Sequence, residues 1–155
     1  MAVPELFKPI SLRIRRARSG DTPQLEQLFL ETRCHTFYWE DPTKFQLEDY
    51  QKQTVGEEVF VAEGEGIIAF ISVWTQDRPP FIHHLFVSPD HQRKGVGTKL
   101  VHSLATWLPP PYRLKCLAQN LGARIFYKKM GWVGLEEGTS PEGDYILLEL
   151  KGTNF

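Results

Sequence analysis

The sequence lacks the features that mark exported, membrane-spanning or disulfide-held proteins. Its two cysteines, Cys34 and Cys116, lie far apart and without metal-ligand spacing, which argues against a disulfide framework or a zinc site. No stretch approaches the ~20 consecutive apolar residues of a membrane helix, and residues 1–20 contain no apolar core of the signal-peptide kind. These absences predict a soluble protein of the reducing cytoplasm.

An excess of charge of one sign is also missing. The chain of 155 residues has 18 basic and 19 acidic side chains, a formal net charge of -1 and no long basic tract. General binding to nucleic acid is therefore not expected, and any anion must be recognised by a local arrangement of groups. A hydrophobic fraction of 41%, with 12% aromatic residues, is enough for one domain with a core.

Hydrophobic periodicity predicts strands and helices in mixed order. Leu25 and Phe29 share one face of a first helix, for which Asp21 or Thr22 is the expected cap, and the run 67–73 is apolar on both faces, as in a central strand. Strands are predicted at 11–17, twice within 57–74, at 81–87 and 112–118, and twice within 132–150, with helices within 19–35, 36–53, 95–105 and 119–132. This order indicates an α/β protein with a mixed sheet and no linker or repeat.

The stretch HQRKGVGTKL, residues 91–100, joins a predicted strand to a predicted helix. Its two glycines remove side chains where another molecule must approach the backbone, and the amides at a helix start point toward an anion. The spacing does not fit a P-loop, and Leu100 replaces the third glycine of a dinucleotide fingerprint. The pattern therefore favours a phosphate-bearing ligand of another kind.

Two motifs together resemble the GCN5-related N-acetyltransferase (GNAT) superfamily. Residues 92–97, QRKGVG, resemble its pyrophosphate-binding signature Arg/Gln-x-x-Gly-x-Gly/Ala, and residues 120–132 resemble its second motif, Asn-x-x-Ala-x-x-Phe-Tyr-x-x-x-Gly-aromatic. The specific similarity covers about residues 81–132. It implies a single N-acetyltransferase domain over residues 1–155, with about six to seven strands flanked by helices and splayed central strands. It also implies acetyl-CoA as cosubstrate, without a metal.

The resemblance also assigns residues to acetyl-CoA. The pyrophosphate would lie against the turn, the pantetheine arm and thioester carbonyl against strand backbone, and Asn120 would bind the arm. The implied residues are Leu85, Phe86, Val87, Gln92, Arg93, Lys94, Gly95, Val96, Gly97, Thr98, Asn120 and Tyr127. The alternatives are a loop glycine at Gly95, a close-packing glycine at Gly97, solvated charges at Arg93 and Lys94, and a helix cap at Asn120.

Acetyl transfer to an amine needs a base for the amine proton and an acid for the departing thiolate. Tyr127 matches the tyrosine of the family that protonates the thiolate, with packing in the core as the alternative. The strand 81–87 has no glutamate, but it has His83 and His84, of which only one should face the cleft because strand residues alternate. His83 resembles the base of arylalkylamine-type members, with a structural histidine as the alternative. Cys116 is expected in the core.

The acceptor is not determined by the sequence. Phe37, Tyr38 and Trp39 lie in the region that caps the acceptor pocket in the family, and acidic residues follow them, which suits a cationic amine; a hydrophobic cluster beneath a loop is the alternative. The expected partner is an amine of a small molecule or protein, with no nucleic acid or membrane, and a homodimer is left open. The competing function is an inactive acetyl-CoA-binding sensor or scaffold.

Overall fold

The computed structural model describes residues 11–152, and residues 1–10 and 153–155 lie outside the described part. The prediction of no signal peptide rests on residues 1–20, so the first half of that segment lies outside the described residues. The elements are β1 Arg13–Arg16, α1 Thr22–Thr36, α2 Asp49–Gln53, β2 Glu58–Gly64, β3 Gly66–Trp74, β4 Phe81–Val87, α3 Val96–Ser103, β5 Tyr112–Leu117, α4 Leu121–Met130, β6 Val133–Ser140 and β7 Gly143–Leu150. They confirm the predicted order of strands and helices. No helix within residues 11–152 has the length and apolar character to cross a membrane.

The seven described strands form one mixed sheet in the order β1-β2-β3-β4-β5-β7-β6. All neighbouring strands are antiparallel except β4 and β5, which run parallel and pair only at Phe81 and Arg113. Next to that pair, the Arg113 amide donates to the carbonyl of Pro80 at 3.0 Å. Beyond this point the two strands diverge. The predicted α/β class, the strand number and the splayed centre are therefore confirmed.

The sheet is covered by apolar side chains on both faces. One face carries α3 and α4, with Leu100 and Tyr112 in its core, and the other carries α1 and α2, with Leu25 and Phe29 in its core. Strand β3 contributes to both cores, which explains its apolar run from Ile67 to Val73. Cys116 packs in the first core, as predicted.

The start of α1 is held differently from the capping that the sequence predicts. Asp21 stands at the cap position, but its carboxylate accepts from no helix amide. Instead it accepts from the Arg18 amide at 2.8 Å and from the Arg15 guanidinium at 2.7 and 2.9 Å. The Arg15 hydrogen bonds lower the pKa of Asp21 to about 2. Because Arg15 also binds Glu63, this network ties β1, β2 and α1 together.

His84 is half-buried between aromatic rings on the α1 face of the sheet. Its ring lies 5.0 Å from that of Phe29 and 6.1 Å from that of Phe86, and it shares a hydrogen bond with the backbone of Gln53. Burial, and to a smaller extent the neighbouring His83, lower the pKa of His84 to about 4. His84 is therefore neutral at pH 7 and serves the packing of β4 against α1 and α2.

We expect His84 to make the fold sensitive to mild acid. The unfolded chain takes up a proton on this imidazole below its ordinary pKa of ~6.5, whereas the folded chain does so only near pH 4. Stability is thus full above ~6.5 and falls by roughly 2–3 kcal/mol between pH 7 and 4.5. Urea unfolding at both pH values should show this loss in wild type and in the exposed control His35→Gln, and much less of it in His84→Leu. An equal loss in all three would contradict the assignment.

Candidate active site

The glycine turn forms an open backbone site at the start of α3. Gly95 caps the helix with φ of 80°, and Arg93 also has a positive φ of 63°. A Cβ on Gly95 would meet no atom within 4 Å, so this position favours glycine through its backbone conformation, and the space above it is free. The first amides of α3 have no acceptor within the helix and can bind an anion there.

Gly97 has a different role in the turn. It is buried, and a Cβ at this position would lie 3.2 Å from Cζ of Phe126 and 3.6 Å from the Val87 side chain. Phe126 and Val87 thus pack closely against the Cα of Gly97, as the alternative interpretation predicts. The amide of Gly97 is still part of the turn. A larger residue would push α3 away from α4 and β4.

The side chains of the turn divide into three kinds. Arg93 and Lys94 are exposed, whereas Val96 is fully buried in the core and can offer a ligand only its backbone. Gln92 donates from Nε2 to the carbonyl of Val87 at 3.0 Å, so it fastens the turn to the end of β4. Thr98 is half-buried in the first turn of α3.

Strand β4 directs alternate backbone groups to the gap beside β5. The amide of Ser88 donates to the Ile68 carbonyl of β3 at 2.8 Å, and in an antiparallel pair the residues directed toward the partner alternate. Phe86 is therefore directed to β3, and Leu85 and Val87 are directed to the gap. The bond from Gln92 to the Val87 carbonyl agrees with this direction. Of the three residues implied for the pantetheine arm, Leu85 and Val87 offer their own backbone groups.

Helix α4 follows β5 and has Asn120 at its cap and Tyr127 in its last turn. Asn120 caps the helix, since its Oδ1 accepts from the Ala123 amide at 3.2 Å, and this leaves its side-chain nitrogen available. Tyr127 is buried beside Cys116 of β5, with its ring 5.5 Å from that of Trp132. Burial raises the pKa of Tyr127 above its ordinary value, so the phenol holds its proton at neutral pH.

Cys116 does not provide a nucleophile in this arrangement. It is buried, and burial raises the pKa of its thiol to about 11. The reactive form of cysteine is the thiolate, which is scarce at neutral pH under these conditions. Cys116 therefore contributes to the core packing.

His83 lines a cleft, and its ring contacts a carboxylate that the sequence analysis did not predict. A bulge in β4 turns His83 outward, where its side chain is 42% exposed, and its Nδ1 contacts Oε1 of Glu57. The Glu57 side chain is 2% exposed, and its Oε2 has no hydrogen-bond partner among the described residues. A carboxylate at Nδ1 favours the tautomer with its proton there, which leaves Nε2 as an acceptor.

The cleft in front of His83 has a volume of about 510 Å³ and lies on the α1 face of the sheet, at the point where β4 and β5 begin to separate. Its lining residues are Trp74, Asp77, Arg78, Pro79, Phe81, His83, Arg113, Lys115 and Leu147. The alternation of β5 could have indicated part of this wall, since Arg113 and Lys115 are polar positions between the buried Tyr112, Leu114 and Cys116. Glu57 precedes β2 in an ordinary loop and carries no sequence signal.

The predicted acceptor residues lie on the same face, outside the lining of this cleft. Phe37 packs 6.4 Å from Phe86 and 5.6 Å from Trp39, whereas Tyr38 is 81% exposed. The cation among these rings is the protein's own Arg33, which lies 4.9 Å above the Phe45 ring. Neighbouring acids are also engaged, with Glu40 bound to Lys44 and Asp41 to Thr43. The segment is thus a packed cluster beside β4.

The splayed sheet and the glycine turn are those of an α/β protein with a backbone site for an anion. A model of the acetyltransferase (GNAT) family matches residues 25–132, more than half of the chain, and the protein belongs to this family. None of the curated proteins compared with the sequence matches it. Within residues 11–152, no group of three or more His, Cys, Asp or Glu side chains is arranged to hold a metal ion.

Solved structures share the fold over nearly the whole chain. PaiA N-acetyltransferase of Thermoplasma acidophilum, in complex with coenzyme A, is 18% identical with a TM-score of 0.77, over 92% of this chain and 100% of that one. YncA of Salmonella typhimurium, with its cofactor acetyl-CoA, is 20% identical with a TM-score of 0.64, over 91% and 94%. NAA60 of Arabidopsis thaliana, in complex with a bisubstrate analogue, is 14% identical with a TM-score of 0.66, over 91% and 98%.

Proposed function

We propose that the protein transfers the acetyl group of acetyl-CoA directly to an amine. The observation that carries this proposal is the gap between β4 and β5, which opens beyond the single pair Phe81–Arg113, with the glycine turn following β4. The family membership and the coenzymes bound to PaiA and YncA support acetyl-CoA as the donor. Both cysteines are free, which agrees with a reaction in the cytoplasm.

In this proposal the chain holds the donor mainly through its backbone. The amides from Arg93 to Thr98 bind the pyrophosphate, and the exposed Arg93 and Lys94 add positive charge. The backbone of Leu85 and Val87 binds the pantetheine arm as a strand would, and their amides polarise the thioester carbonyl. The side-chain nitrogen of Asn120 is a further donor to the arm.

The reaction requires two proton transfers, and in this proposal one residue carries out each of them. The amine nitrogen forms a bond to the thioester carbon, and Nε2 of His83 accepts the proton that the nitrogen loses, directly or through water. The carbon–sulfur bond then breaks, and the phenol of Tyr127 donates a proton to the thiolate and regains one from solvent. Glu57 is a positioning residue, since its contact with Nδ1 orients the His83 ring.

The test is release of free thiol from acetyl-CoA with a panel of polyamines, amino acids, simple aryl amines and peptides. Wild type should release coenzyme A with some of them, and His83→Gln should lower kcat/KM by roughly 10²-fold near pH 7, the effect of losing a positioned base. Raising the pH should partly rescue His83→Gln, because solution then supplies neutral amine. Glu57→Gln should cost about tenfold or more without changing the Kd of acetyl-CoA.

The control is His35→Gln, whose imidazole is exposed at the end of α1 and should leave the rate unchanged. A His83→Gln loss that is the same at every pH would mean a structural role and would leave water as the proton acceptor. Absence of thiol release with every amine, in protein that binds acetyl-CoA, would exclude the transferase assignment and favour a binding module.

A further inference from the structure

The cleft in front of His83 carries more positive than negative side chains. Arg78, Arg113 and Lys115 line it, and Asp77 is the one carboxylate among the lining residues. Arg113 and Lys115 alternate outward on β5, so both cations project from the same face of the sheet as the cleft. Because Arg113 is in register with Phe81, the cations lie on the strand next to His83.

Two of these cations have no carboxylate partner among residues 11–152. Nζ of Lys115 lies 4.6 Å from the centroid of the Tyr145 ring, and neither Lys115 nor Arg78 forms an ion pair in the described chain. Arg113 binds Glu149 through Nε at 2.8 Å, and its two terminal nitrogens make no hydrogen bond to the described residues. Several donors therefore face the cleft and are available to an anion.

The remaining wall of the cleft is apolar and its volume is that of a small-molecule site. Trp74, Pro79, Phe81 and Leu147 supply apolar surface beside the cations. A volume of about 510 Å³ falls within the ~300–1,000 Å³ typical of sites for small ligands. A ligand that satisfies this lining has one anionic group and one apolar group.

We infer that the acceptor is a free amino acid with an apolar side chain. Its carboxylate would bind Lys115 and the terminal nitrogens of Arg113, its side chain would lie against Trp74 and Phe81, and its amine would face Nε2 of His83. A lysine within a protein chain has no carboxylate next to its amine and would leave these cations unpaired. The inference rests on the proposed function, since it names the acceptor of that reaction.

The experiment compares three amines with the same aromatic group: L-phenylalanine, L-phenylalaninamide and phenethylamine. We expect kcat/KM, corrected for the fraction of neutral amine, to be at least tenfold higher for phenylalanine than for the other two. Lys115→Gln should lower kcat/KM for phenylalanine about tenfold more than for phenethylamine, mainly through KM, and Lys115→Arg should retain most of the preference. Arg13→Gln, at the far edge of the sheet, is the matched control and should behave as wild type.

The outcomes separate this inference from the proposed function. Equal or better use of phenethylamine, or an equal loss for both substrates in Lys115→Gln, would overturn the acceptor assignment alone. Acetylation of polyamines or peptides, with none of the three phenylalanine compounds used, would do the same. Absence of transfer to any amine would overturn the proposed function and the acceptor assignment with it.

Discussion

Tyr127→Phe is expected to lower kcat by about 10²-fold or more while leaving the Kd of acetyl-CoA and the stability nearly unchanged. The phenol is the proton donor to the thiolate in our proposal, and loss of a positioned acid costs roughly 10²–10⁴-fold. The ring itself stays, with its contacts to Phe126 and Trp132. Stability should hardly change because the hydroxyl makes no hydrogen bond to the described residues, so the substitution leaves no described group unpaired.

The raised pKa of Tyr127 affects how the proton moves. A phenol whose pKa lies above its ordinary value is a weaker acid than a thiol with a pKa of ~8.5. The proton therefore moves only as negative charge develops on sulfur. The same low-polarity surroundings make the thiolate costly unless it is protonated. The donor therefore acts by its position beside the leaving group, and its burial keeps the proton in place until then.

Tyr112→Phe provides the matched control for this prediction. Tyr112 is also a buried tyrosine, but its hydroxyl donates to the Leu108 carbonyl at 2.5 Å. Its replacement should cost about 1 kcal/mol of stability and leave kcat unchanged, the reverse of Tyr127→Phe. Steady-state rates, calorimetric binding and urea unfolding on the same preparations test both variants. Equal kcat in wild type and Tyr127→Phe would return Tyr127 to a packing role.

Gly95→Asp is expected to raise the Kd of acetyl-CoA about 100-fold without unfolding the protein. Aspartate is among the residues that tolerate a left-handed backbone, and a Cβ at this position meets no atom within 4 Å. Its carboxylate would lie where we propose that the turn binds pyrophosphate. Repulsion of roughly 2–3 kcal/mol at the protein surface corresponds to about 30- to 150-fold in Kd. Titration calorimetry measures the change.

Gly95→Asn separates the effect of the negative charge on the Kd from the effect of the added side chain. Asparagine has the same shape and the same tolerance for the backbone, so its Kd should rise by less than about fivefold. A Gly97 variant would not serve as a test, since its Cβ would press on Phe126 and change the packing as well. Similar affinities for the Asp and Asn variants would place the pyrophosphate away from the turn.

Sequence reasoning succeeded where the information is local. Three predicted features each depend on a few neighbouring residues, and the structure has all of them: the apolar alternation of β5, the apolar run of β3 and the helix capped by Asn120. Asp21 stands at the cap position, but its carboxylate binds the Arg15 guanidinium and the Arg18 amide instead of a helix amide. The choice among these nearby donors depends on how β1 packs beside α1, which the local pattern does not contain.

By itself, the sequence determined the family, the order of elements and the two segments that face the gap, because each motif is a short run with fixed spacing. Only the tertiary structure decided what surrounds His83. Glu57 contacts His83 from the loop before β2, and Arg113 and Lys115 line the same cleft from β5. Charge and hydrogen bonding act over a few ångströms, between residues whose separation along the chain carries no signal. The chemistry of the cleft in front of His83 therefore emerges only when the sheet has formed.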